Sequence, residues 1–327
     1  MKFLVATFFL SGIIIFAGAE IIARLIGLRP LQPAHFTNEP IVHVPDPVLG
    51  WRNKPGNYNY PAYVSGYDNI QITILPNGER VTKHDNSNVK LKQLVMIGCS
   101  FTQGWAVSDQ DTFAWKLQEN NQHLDVRNQG VSGYSTYQAL LNLQQVLPTM
   151  HNPKFVVYGF IDDHEARNVA PDYWLKALTR AERSQSAVPF LSISASNKLQ
   201  QHKPKKYHAL PLRTRLASVV GLENIYARIS DLRQTKRLQQ KGLITEKIIN
   251  DINSLSKKYG AEFYMVILAA SESTTQDYLR KLTAVGVNVV DCTHKDNHKM
   301  IVPGESHPNA ELHGIWADCI NRNVPLI

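Results

Sequence analysis

The sequence predicts an α/β protein of three layers, with helices on both faces of a central parallel sheet, a β-rich N-terminal lead-in and a helical insertion. Three observations carry that expectation. From residue 93 onward, short apolar runs alternate with helical stretches. Residues able to do chemistry recur just past the ends of those runs, where ligands lie in open parallel sheets. The 327 residues, 43% of them hydrophobic, suffice for one large core with or without a small accessory lobe.

Residues 3–19 are uncharged and follow Lys2, a run near the lower limit for a bilayer span. Ala17-Gly18-Ala19 fits a signal-peptidase site, and cleavage there would release a soluble protein. The apolar pattern nevertheless continues through Ile21, Ile22, Ala23, Leu25, Ile26 and Leu28, interrupted by Glu20 and Arg24. That favours an uncleaved anchor over residues 1–29, a single pass through the cell membrane with the rest of the chain on the periplasmic or other extracytoplasmic side. Arg24 and Arg29 on the exit side make orientation less well determined than insertion.

Residues 30–92 form the lead-in, rich in Pro, Asn, Gly and Tyr. They include Asp46-Pro47-Val48-Leu49-Gly50-Trp51, the alternating strand Gln71–Ile74 and a Pro76-Asn77-Gly78 turn. The main domain, 93–327, alternates strand and helix: a strand at Leu94–Ile97, a helix over Asp111–Gln118, a strand at Val126, a helix over Thr136–Leu147 and a strand over Phe155–Ile161. Later come a strand at Phe263–Leu268, a helix near Thr275–Leu282, a strand at Val287–Val290 and a helix over Asn309–Ile320. Between about 169 and 245 the alternation breaks into a basic, helix-tending insertion, which reads as a lid, a recognition element or an inert decoration. After it, Ile248, Ile249, Ile252, Leu255 and Tyr259 mark the core stripe of a helix that Gly260 stops.

Composition narrows the function classes. Three cysteines exclude a disulfide framework. Cys99 reads as a small buried side chain, and Cys292 and Cys319 as two buried thiols in preference to a single disulfide. The net charge of +8 gathers at Lys203, Lys205, Lys206, Arg213, Arg215, Arg228, Arg233, Lys236, Arg237 and Lys241. This is a solvated helical surface beside a membrane, or a face for anionic lipid or acidic polysaccharide. No nucleic-acid module accompanies the charge, so no nucleic-acid partner is expected. His164, His294, His298, His307 and His313 show no metal-ligand spacing, and neither metal nor cofactor is expected.

Gly98-Cys99-Ser100-Phe101-Thr102-Gln103-Gly104 places a serine at a strand end, and Glu305-Ser306-His307-Pro308-Asn309 places a histidine just before the final helix. A serine hydroxyl becomes a nucleophile when an imidazole takes its proton, and the imidazole needs an acid to fix its tautomer. Glu305 is placed to be that acid, with Asp291 and Asp296 in reserve.

These blocks together resemble the SGNH/GDSL hydrolase superfamily, in particular its membrane-anchored bacterial members, whose first block reads Gly-x-Ser-Phe-Thr-x-Gly. The resemblance covers about residues 93–168 and 261–322, and Asp46–Trp51 is similar to the usual lead-in. It implies a three-layer, flavodoxin-like αβα fold, Ser100 as nucleophile, His307 as base and an oxyanion hole built from the N–H groups of Ser100 and Gly133. Gly133 belongs to Asn128-Gln129-Gly130-Val131-Ser132-Gly133, which matches the Asn-x-Gly-x-x-Gly loop. Where that family has Gly-x-Asn-Asp, this chain has Gly159-Phe160-Ile161-Asp162-Asp163. Asp162 stands at the place of the third donor, an ionised one would repel an oxyanion, and His164 or Asn168 are the expected replacements, with protonation of Asp162 by burial as another way out. Asp163, Glu165 and Arg167 read equally as an ion-pair network. The expected function is a serine esterase acting on small esters or on O-acyl or O-acetyl groups of envelope or exported glycans. The alternatives are an O-acyltransferase using the same serine and a catalytically silent polysaccharide-binding or assembly protein. Oligomeric state is left open.

Overall fold

This computed structural model describes residues 2–32, 40–83, 91–179 and 187–326, so parts of the lead-in (33–39, 84–90) and of the insertion (180–186) lie outside the described residues. The chain begins with helix α1 (Lys2–Leu25). Among the described residues no helix is long and apolar enough to cross a membrane. The end of α1 is tied to the insertion, where Glu20 accepts hydrogen bonds from the backbone N–H groups of Ala217 and Ser218 and from the Ser218 hydroxyl.

Among the described residues of the lead-in there are two antiparallel pairs, β1 (His43–Asp46) with β2 (Gly50–Asn53), and β3 (Gly56–Tyr60) with β4 (Ile70–Ile74). In β4 the odd and even positions face opposite ways, and Ile70, Ile72 and Ile74 pack with Val42 and Tyr60 in a small core. Arg80 fastens this lead-in to the main domain. Its guanidinium is buried beside Asp109 and donates to the backbone carbonyls of Gln71, Gln103, Gly104 and Val107. A buried cation needs such saturation with acceptors to remain charged.

The main domain begins with β5 (Lys92–Gly98), α2 (Ser100–Gln103), α3 (Phe113–Asn120), β6 (Leu124–Asn128), α4 (Thr136–Val146), β7 (Pro153–Ile161) and α5 (Asp163–Asn168). The insertion follows as α6 (Asp172–Leu178), β8 (Val188–Ile193), β9 (Leu199–Lys205), α7 (Ala217–Arg233) and α8 (Thr235–Gln239). The domain resumes with α9 (Lys241–Lys258), β10 (Glu262–Ala269), α10 (Glu272–Thr283), β11 (Asn288–Asp291) and α11 (Ala310–Asn323). The five strands β11-β10-β7-β5-β6 pair in parallel in that order. Counted within the domain alone this is 2-1-3-4-5, the flavodoxin-like order, as expected. Leu94 and Met96 of β5 face α3 and α11, while Val95 and Ile97 face α4 and α9, which is why the strand reads as an unbroken apolar run.

Two expectations are corrected. The insertion is not wholly helical, because β8 and β9 form an antiparallel hairpin whose Val188, Phe190 and partner residues Leu49, Trp51 and Tyr134 share a core. Val188 and Phe190 face this core while Leu191 faces the other, so the short apolar run at 188–191 is that of a strand covered on both faces. Cys292 and Cys319 are not free thiols but a disulfide that joins the end of β11 to α11; Cys99 is the free, buried cysteine expected.

Candidate active site

Ser100 opens α2 directly beyond the carboxyl end of β5. Three glycines let that one-turn helix sit on the sheet. Gly98 and Gly159 are register partners on β5 and β7, and the Thr102 side chain inserts between them. A Cβ on Gly98 would stand 2.2 Å from Thr102 Oγ1, and one on Gly159 would stand 2.3 Å from the same atom. From the other side, a Cβ on Gly130 would meet the Gln103 backbone nitrogen at 2.3 Å, so the 130–133 loop closes directly onto α2. Gly133 has a φ of 80°, a left-handed conformation that excludes most other residues.

The Gln103 side chain crosslinks these parts. Its Oε1 accepts from both the backbone N–H and the hydroxyl of Ser132, while its Nε2 donates to Asn53 Oδ1 on β2. Asn53 in turn donates to the carbonyls of Gly78 and Gly130. Sequence reading gave Asn53 and Gln103 no role. Their signal was present only as polar residues beside a motif, a pattern too common to single out.

His307 lies on a loop pinned by the backbone, with Val302 N–H bonded to His307 O at 2.9 Å and Glu305 N–H to Val302 O at 3.0 Å. This turn brings Glu305 and His307 together two positions apart. Glu305 Oε2 lies 2.7 Å from His307 Nδ1 and also accepts the His307 backbone N–H. Burial works to raise the Glu305 pKa, but the bonds and charge of His307 outweigh it and hold the carboxyl below its usual range. The imidazole stands edge-on to Phe101, the neighbour of Ser100, with ring centroids 5.8 Å apart. Phe101 also stacks on Trp316 of α11. The reserve acids do not reach the histidine. Asp291 binds the Thr293 N–H and hydroxyl, and Asp296 pairs with Lys299.

The third block is arranged differently from expectation. Asn168 is buried between α4 and α9, accepting from Tyr137 N–H and donating to the hydroxyls of Thr136 and Thr245. Both amide hydrogens are therefore engaged away from Ser100. His164 is wholly buried against Tyr158, whose hydroxyl lies 2.6 Å from its Nδ1, and burial pushes its pKa far down, leaving it neutral. Asp162 turns toward the β10–α10 connection, where Oδ2 accepts the Ser271 N–H at 2.8 Å. Its other oxygen is buried without a hydrogen-bond partner, and burial raises its pKa. Asp163 pairs with Arg167, as the sequence allowed, whereas Glu165 pairs with Lys241 of α9.

Beside the His307 loop runs a groove of about 460 Å³ between Tyr63, Tyr67 and Asp68 of the lead-in and Ile301, Val302 and Glu311 of the main domain. The lead-in braces the loop directly, since a Cβ on Gly304 would lie 2.6 Å from Val64 Cγ2.

No protein-family model and no curated protein matches the chain by sequence. Solved structures similar to it include a G-D-S-L family protein from Desulfitobacterium hafniense, at 12% identity and TM-score 0.40 over 71% of this chain and 99% of that one. A lipolytic G-D-S-L family member from Veillonella parvula is similar at 11% identity and TM-score 0.40, over 71% and 98% of the two chains. The esterase EstA from Pseudoalteromonas is similar at 9% identity and TM-score 0.39, over 71% and 96%.

Proposed function

We infer that this protein is a serine ester hydrolase of the SGNH/GDSL type working through an acyl-enzyme. The Glu305–His307 pair standing against Phe101, next to a serine at the carboxyl end of the central sheet, carries the reading. Ser100 attacks the ester carbonyl as His307 takes its proton; the proton passes to the leaving alcohol, and a water activated by His307 then releases the acid. The backbone N–H groups of Ser100 and Gly133 receive the oxyanion. Asp162, with one oxygen on the Ser271 N–H, offers the third place no asparagine amide.

The favoured substrates are O-acyl, above all O-acetyl, groups on envelope or exported glycans. Tyrosine rings and carboxylates in the groove beside His307 suit the faces and hydroxyls of a sugar. Transfer to a second hydroxyl would use the same acyl-enzyme. For location, the Cys292–Cys319 disulfide favours an oxidising compartment outside the cytoplasm. The apolar run over residues 3–19 supports an anchor at residues 1–29, followed by the lead-in to residue 92 and the hydrolase domain with its insertion.

The test is hydrolysis of 4-nitrophenyl acetate by the full chain in detergent beside Ser100→Ala. Loss of turnover in a folded variant supports the reading. Equal background rates in both would favour the silent binding role instead.

A further inference from the structure

Asp46-Pro47-Val48-Leu49-Gly50-Trp51 is a sequence feature that the reaction scheme above leaves without a task. Trp51 is completely buried on β2, and its indole N–H donates to the carbonyl oxygen of Ser132 at 2.8 Å. That carbonyl belongs to the same peptide unit as the Gly133 N–H. In a trans peptide the C=O and N–H vectors are antiparallel, so whatever holds the oxygen also aims the hydrogen.

The geometry points to Trp51 as a positioning residue for the oxyanion hole, holding the Ser132–Gly133 peptide so that the Gly133 N–H faces the reacting carbonyl. The proposal rests on the esterase reading. Gly133 itself cannot hold this aim, because a glycine in the left-handed region has the widest choice of neighbouring conformations. The remaining constraints converge on the same residue. Ser132 N–H and Oγ both donate to Gln103 Oε1, at 2.9 and 2.7 Å.

The orientation of that amide is itself determined. Asn53 Nδ2 faces two carbonyls, so its Oδ1 must face Gln103 Nε2, and Gln103 Oε1 must then face Ser132. Flipping either amide would set donor against donor in a buried space. The indole bond also polarises the peptide it holds, which strengthens its N–H as a donor. Two residues of the lead-in, Trp51 and Asn53, thereby govern a site whose reacting groups all lie in the main domain.

The test compares Trp51→Phe, which keeps an aromatic ring but loses the N–H, with Thr82→Val in the full-length protein. The Thr82 hydroxyl likewise makes a buried bond from the lead-in to the main domain, at 2.7 Å to the Val126 carbonyl, and takes no part in the hydrogen bonds that hold Ser132. With 4-nitrophenyl acetate, Trp51→Phe is expected to lower kcat about tenfold at unchanged KM, a fraction of the effect of deleting an oxyanion donor. Thr82→Val is expected to lower the melting temperature and leave kcat unchanged. A folded Trp51→Phe with wild-type kcat, or an equal fall in both variants, overturns the proposal. If Trp51→Phe does not fold, the isosteric benzothienylalanine at position 51, with sulfur in place of the indole N–H, serves in its place: about a tenfold loss in kcat at constant KM supports the proposal, and an unchanged kcat overturns it. Turnover that survives Ser100→Ala sinks the esterase reading itself, a result separate from either of these.

Discussion

Glu305 reaches His307 twice, through Nδ1 at 2.7 Å and through the backbone N–H of the same residue, so the acid fixes both the tautomer of the ring and the bend of the loop that carries it. A glutamate two positions before the histidine can do this only if its side chain folds back along its own backbone. The turn closed by Val302 and His307 allows that.

Glu305→Gln should therefore lower kcat about a hundredfold or more, because a carboxamide can stabilise the wrong tautomer. The carboxyl has a folded pKa below its ordinary 4.5, so the stability it contributes is present above the unfolded value and is lost as pH falls through the folded one. Melting curves of wild type and Glu305→Gln should differ at pH 7, and the difference should shrink progressively as pH falls below 4.5. A constant difference across that range would contradict the assignment.

Asp162 has the opposite sign. Burial raises its pKa, so its ionisation opposes folding: any stability it supplies is complete below the unfolded value and declines as pH rises through the folded one. Asp162→Asn keeps an oxygen for the Ser271 N–H and removes the charge. It should raise the melting temperature at pH 7 to 8, show little difference near pH 3, and increase esterase turnover. A slower, less stable variant at neutral pH would show that the charge is needed.

The fit of Thr102 between two glycines predicts a double-mutant result. Gly159→Ala should cost about 1–3 kcal/mol by overpacking against Thr102 Oγ1. Thr102→Ala should restore much of that, since the remaining close neighbour is the movable end of Leu268. Gly98→Ala should not be rescued, because its Cβ would also lie 2.9 Å from the Gly159 carbonyl oxygen. Denaturant midpoints of the singles and doubles decide this, and independent, additive effects would refute the shared contact.

Replacing both Cys292 and Cys319 with alanine should lower stability by about 3–4 kcal/mol, the loop-closure entropy for a separation of 27 residues. The bond lies between β11 and α11, on either side of the His307 loop. Urea unfolding with and without reductant measures it; wild type insensitive to reductant would mean that the bond contributes little.

Most of the sheet was legible in the sequence because a parallel strand covered on both faces must be apolar at every position, as Leu94 to Ile97 are. The hairpin of β8 and β9 was not, since its second strand, Leu199–Lys205, is polar and largely exposed and gains its conformation from pairing with the first. Ser100, Gly133 and His307 stood out by their motifs. The direction taken by Asp162 did not, because a side chain at a strand end turns toward whichever neighbouring loop offers a donor, here Ser271.

The strand–helix alternation and the pairing of Glu305 with His307 follow from periodicity and short-range spacing, which depend on neighbours along the chain. The tertiary structure alone decided that Cys292 meets Cys319, that Asn168 is engaged in the core and that Trp51 meets Ser132. Each of these joins residues far apart in the chain, and no local preference encodes a contact that exists only once the layers have packed.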